Sequence, residues 1–166
     1  MSRTLPFLAV AAVLLTGCPS DGTRPGASID VTRITPGAPQ PVYMSGLVTS
    51  QRSAIFDAET FATVWNKAFP GGEPAPQPPT VDFANEFVVV VALGERASGG
   101  YVIEVSGALD EGDGVLVGVQ TTTPGKGCPV TLAMTQPADI VKLKRPSAGT
   151  VRVRFEERVV STDCGP

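Results

Sequence analysis

Sixteen acidic side chains, three cysteines and no histidine define the chemistry open to this chain of 166 residues. Without an imidazole, Ser-His-Asp and Cys-His nucleophilic arrangements are excluded, and so are most catalytic zinc sites. Carboxylate or serine chemistry remains. Glu95, Asp110, Glu111 and Asp113 are the clustered carboxylates. The last three fall in "GALDEGDG" (107–114), where Asp and Gly serve turns. Ser98 lies close to Glu95 and Arg96 in "LGERASGGYVIEV" (93–105). A carboxylate is a poor activator of a serine hydroxyl. No catalytic residue is therefore assigned, and the chain reads as a non-enzyme without metal or cofactor.

Ser98, Gly99, Gly100 and Tyr101 carry a different expectation. Two glycines ahead of an aromatic residue allow positive φ, a bulge, or close approach of another segment. Exposed backbone beside an aromatic anchor also suits recognition of a partner. Both readings stay open at this point, and these four are the candidate partner-binding residues. Ser98-Gly99-Gly100-Tyr101 is similar to the "TTGY"-type loop of chagasin-like cysteine protease inhibitors. The other loops of that family have no counterpart here.

Cys18 closes "MSRTLPFLAVAAVLLTGC". Arg3 is a short positive start, and Leu5 to Leu15 is apolar but too short for a stable span. Leu15-Thr16-Gly17-Cys18 resembles the lipobox of bacterial lipoproteins. That resemblance implies cleavage before Cys18, acylation of Cys18, and a protein anchored to a membrane without spanning it. The implied location is the bacterial cell envelope. Pro19 and Ser20 follow the cysteine, with no Asp, which favours the outer membrane if the source has one. An exported chain meets an oxidising compartment, so a disulfide between Cys128 and Cys164 is the default expectation. Free thiols or a redox pair are the alternatives, but the spacing is not a short C-x-x-C.

The elements that must position these residues follow from pattern. Residues 1–17 read as a lipoprotein signal peptide. Residues 18–44 read as lipidated Cys, flexible tether and a candidate first strand in "IDVTRI" (29–34). Residues 45–166 read as the folded domain. The formal net charge of −3 argues against nucleic acid as a partner. "DAETFATVWNKAF" (57–69) sets Phe61, Val64, Trp65 and Ala68 on one helical face. Asp57 suits the N-cap, and Phe56 with Phe61 matches a hydrophobic staple. "PGGEPAPQPP" (70–79) stops the helix and reads as a stiff connection.

Downstream the pattern is β. "FVVVVAL" (87–93) reads as a central strand buried on both faces. Tyr101, Ile103 and Val105 alternate, as do Val115, Val117 and Val119. Val141, Leu143, Val151, Val153 and Phe155 point to a core. Lys142, Lys144, Arg152 and Arg154 would share one sheet face if their two strands pair. The fold class is α+β and mostly β. It is either a single antiparallel sheet or a small sandwich-like domain, with one amphipathic helix.

Val81-Asp82-Phe83, the valine-rich strand, Gly94, Ser98-Gly99-Gly100-Tyr101 and Thr135-x-Pro137 before Ile140-Val141-Lys142 together resemble the PrcB family, over roughly residues 45–156. Those are lipoproteins named for an accessory subunit of a bacterial surface protease complex. The resemblance implies a non-catalytic domain that binds or stabilises a partner protein, with an exported protease as that partner. The alternative is a protease inhibitor acting through Ser98–Tyr101. Membrane contact is expected through the lipid at Cys18.

Overall fold

A computed structural model describes residues 26–72, 74–146 and 151–165. Strands β1 (Ala27–Ile29), β2 (Val31–Arg33) and β3 (Gln51–Ile55) precede helix α1 (Ala58–Ala68). Strands β4 (Glu86–Ala92), β5 (Val102–Asp110), β6 (Val115–Pro124), β7 (Ala138–Lys144) and β8 (Val153–Thr162) follow. They form two four-stranded sheets, ordered β1-β5-β6-β8 and β2-β7-β4-β3. The sandwich is thus the architecture, not a single sheet. Every neighbouring pair is antiparallel except β6 and β8. The exception has a simple cause. The chain leaves β6, runs back through the other sheet as β7, and returns as β8 in the direction of β6.

The valine-rich run forms β4 and explains the layering. Its side chains alternate between faces. Phe87, Val89 and Val91 meet Ile103, Val105, Val117 and Val119 of the opposite sheet. Val88, Val90 and Ala92 meet Leu47, Phe61 and Trp65 on the helix side. Both faces are covered, so the strand reads as one continuous apolar stretch. Val141 and Leu143 are buried between the sheets, and Val151, Val153 and Phe155 pack at the edge of that layer, as expected.

Helix α1 begins where Asp57 accepts a hydrogen bond from the Thr60 backbone N–H at 2.8 Å. Phe61, Trp65 and Ala68 are its buried residues. The Trp65 indole donates to the Pro76 carbonyl at 2.7 Å, so the proline-rich connection is laid over the helix. The expected staple is not the arrangement found. Phe56 stacks on Phe87 in the inter-sheet layer, whereas Phe61 packs against Trp65 and Phe83. A chain that passes from sheet edge to helix at Asp57 sends the two rings into different layers.

Two further expectations are corrected. The folded unit begins by Gly26, not at residue 45. Ala27–Ile29 pairs with β5 in one sheet and Val31–Arg33 with β7 in the other. "IDVTRI" is thus a change of sheet around Asp30. The basic stripe also dissolves, because β7 and β8 lie in different sheets. Lys142 stands 2.9 Å from Glu86, whose carboxyl is held below the usual carboxylate range chiefly by that hydrogen bond. Arg154 pairs with Glu111 at 2.6 Å.

Inside the sandwich, β5 carries one extra residue, Ser106, between pairs Val105–Val119 and Gly107–Gly118. The Asp139 carboxylate of β7 accepts from the Val105 N–H beside that bulge at 2.9 Å. It also accepts from Arg33 Nε at 2.6 Å and Nη2 at 2.8 Å. Asp139 is fully buried.

Candidate functional site

Three loops meet at one end of the sandwich, around the Ser98–Tyr101 segment. Gly94 opens the first with a φ of +75°, and a Cβ there would stand 2.7 Å from Ser50 N and 2.9 Å from the Val48 carbonyl. Only glycine allows that approach without displacement. Glu95 N then donates to the Val48 carbonyl at 3.1 Å. Arg96 and Thr135 exchange backbone hydrogen bonds at 2.8 and 2.9 Å. The Thr135 hydroxyl donates to the Ser98 carbonyl at 2.9 Å.

The two glycines continue this docking. Gly99 N donates to the Thr131 carbonyl at 2.9 Å, and a Cβ on Gly99 would collide with the Thr131 hydroxyl. Gly100 has φ +86°, with Pro124 and Val130 side chains 3.0 and 3.1 Å from where a Cβ would stand. Tyr101 packs on the inter-sheet core. The Arg96 guanidinium lies 5.7 Å from its ring centroid, within cation–π range. Ser98–Tyr101 is therefore seated on the 130–135 loop. Its glycines serve a close connection between two segments, and Gly100 alone of the four is exposed.

Large apolar side chains project at this end beside the predicted residues. Tyr43 (53% exposed), Met44 (63%), Val48 (55%), Leu132 (96%) and Met134 (52%) stand in loops joined by the hydrogen bonds above. Gln136 N donates to the Tyr43 carbonyl at 2.9 Å, which sets the 43–48 and 131–136 loops edge to edge. These are five of the seven large exposed apolar side chains among the described residues. Clustered apolar side chains make a candidate interaction surface, whereas scattered single residues do not. A groove lined by Pro36, Met44, Phe69, Pro70 and Pro76 opens alongside.

Sequence reasoning missed these five residues. The signal was present in "PVYMSGLV" and "PVTLAM" (41–48 and 129–134): apolar side chains without strand or helix period, amid loop-forming residues.

The disulfide is present as expected. Cys128 is joined to Cys164, with 4.7 Å between Cα atoms. Cys164 N donates to the Lys126 carbonyl at 3.0 Å, and Lys126 N donates to Asp163 at 2.8 Å. The tail after β8 is thereby fastened to the base of the loop that carries Leu132 and Met134.

The carboxylates do not converge. Glu95 lies at the apolar end, while Asp110, Glu111 and Asp113 lie at the far end of β5. Asp110 accepts from the Gly112 N–H at 2.7 Å, which is turn chemistry. Among the described residues, no three His, Cys, Asp or Glu side chains are placed to hold a metal ion. The described chain begins at that far end too, where Ala27 pairs with Asp110. The nine residues of β5 put it about 30 Å from the apolar loops. The signal segment and Cys18 lie outside the described residues.

No curated protein and no solved structure matches this chain. A family model does, described as PrcB C-terminal, over residues 87–144. That is β4 to β7 with the Gly94–Tyr101 loop, a shorter stretch than the resemblance drawn from sequence. Through this segment of both sheets, the chain is similar to the C-terminal domain of the PrcB family.

Proposed function

We propose that this protein is a non-catalytic lipoprotein of the cell envelope that binds or stabilises a partner protein, an exported protease. The observation that carries the reading is the apolar end formed by Tyr43, Met44, Val48, Leu132 and Met134. Its position supports a protein partner over lipid. A lipid on Cys18 would attach at the end of β5 opposite the apolar loops. Seven residues lie between Cys18 and Gly26, a reach of at most about 29 Å. The inhibitor alternative needs Ser98–Tyr101 to enter a protease cleft. Its anchoring on Thr131 and Thr135 favours the accessory reading.

The test is crosslinked capture of the chain from its own envelope, compared with a Leu132→Asp/Met134→Asp variant. One exported protease should dominate the capture and be lost from the variant, whose melting temperature should match the parent's. Assaying that protease with and without the chain separates stabilisation from inhibition. No enriched protein, or capture indifferent to the two substitutions, would overturn the reading.

A further inference from the structure

Among the described residues, the longest free strand edge lies outside the segment matched to the family. Strand β8 ends its sheet, and β6 is its strand partner among the described residues. Its hydrogen-bonding phase can be read directly. Val115 lies opposite Val153, and Val115 N donates to the Arg152 carbonyl at 2.7 Å. In a parallel ladder, a residue turns its N–H and C=O to the same side, and successive residues alternate. Residues Arg154, Glu156 and Arg158 therefore bond β6. Val153, Phe155, Glu157, Val159 and Ser161 turn theirs outwards. Such a row is a template for another strand. The register with β6 contains no bulge, β8 contains no proline, and Val159 is 65% exposed.

We infer that β8 pairs antiparallel with β8 of a second copy of this chain, across a two-fold axis at Glu157, joining two four-stranded sheets into one of eight strands. The charge order selects this register. Outward groups meet only if odd-numbered residues face odd-numbered ones, so the axis must pass through a residue. At Glu156 it would set Glu156 against its own copy and Arg154 against the partner's Arg158. At Arg158 it would set two arginines face to face, and at Phe155 it would match Arg154 with the partner's Glu156 but oppose Arg152 to the partner's Arg158. At Glu157 it sets Glu156 against the partner's Arg158, and does so twice. Opposite charges in facing positions stabilise a strand pair, and like charges oppose it.

The remaining positions agree. Phe155 faces the partner's Val159, again twice. Phe155 already packs on the inter-sheet core, so the apolar layer continues across the axis. Glu157 meets the partner's Glu157, but each brings its own counter-ion. The Arg52 guanidinium of β3 stands 2.9 Å from the Glu157 carboxylate.

The experiment uses the isolated full chain and reads its mass by sedimentation over a concentration series. A dimer is expected for the parent. Glu156→Arg should raise the dissociation constant at least tenfold, because each introduced arginine faces Arg158. The double exchange Glu156→Arg/Arg158→Glu should restore it. Glu157→Cys should form a disulfide-linked dimer under mild oxidation, and Arg154→Cys should not. A monomeric parent with uncrosslinked Glu157→Cys overturns the inference. So does a dimer indifferent to Glu156→Arg. None of these outcomes depends on the protease partner or on the lipid at Cys18.

Discussion

Asp139 is the residue on which the sandwich is most exposed to a single change. Taking a carboxylate out of water costs several kcal/mol unless its oxygens are met by charge and donors. Arg33 meets it from the edge strand β2, and the Val105 N–H meets it from the bulge in β5. The Arg33 pKa is raised further above its ordinary value, first by that hydrogen bond. One carboxylate thus ties both sheets together. Asp139→Ala would leave Arg33 Nε and Nη2 and the buried Val105 N–H without their acceptor, with only the Pro39 carbonyl and Glu104, 3.9 Å away, still meeting the guanidinium. It should lose about 3–5 kcal/mol in denaturant unfolding, whereas Arg33→Met/Asp139→Leu should lose less, having no charge to strand. Equal losses in the two variants would refute the ion-pair account. None of this was legible in sequence. Asp139 opens an ordinary alternating strand, and its arginine is 106 residues away.

Elements were legible where a local rule decides them. The Asp57 cap, the Phe61–Trp65–Ala68 stripe and the two-faced β4 all follow from periods of 3.6 and 2. Sheet membership was not. Alternation in "IVKLK" and "TVRVRF" shows which side chains turn inwards, but it carries no information about the neighbouring strand. β7 and β8 look alike as sequence, yet one is central in its sheet and the other is an edge. An edge strand with ladder bonds on one side frays more readily, which gives the Cys128–Cys164 link its place. It closes 36 residues of chain and fastens the end of β8. Replacing both cysteines by serine should cost about 3–4 kcal/mol of unfolding free energy in the chain-entropy account. Hydrogen exchange should then accelerate at Arg158 and Val160, whose N–H groups bond β6, before it does in β4. Uniform acceleration at these amides and across β4 would show that the link acts on the whole domain and not on this edge.

At the scale of the whole molecule, the chain's direction matters more than its shape. Gly26 enters at one end of β5, and the apolar loops sit at the other. The candidate site was half legible for this reason. Ser98–Tyr101 led to the correct end, but the surface there belongs to loops from 43–48 and 131–134 that only the folded chain brings alongside. If Cys18 carries acyl chains, that geometry presents the apolar end away from the bilayer. Each buried methylene adds about 0.8 kcal/mol, so several chains hold a protein where one would let it exchange. Cys18→Ala should therefore move the protein from the membrane fraction to the soluble one. Its melting temperature should stay unchanged, since seven residues lie between the position and Gly26. Retention of the variant in the membrane fraction would mean that the chain adheres through its folded surface. The apolar loops would then be the first candidates for lipid contact, and the outward orientation would be wrong.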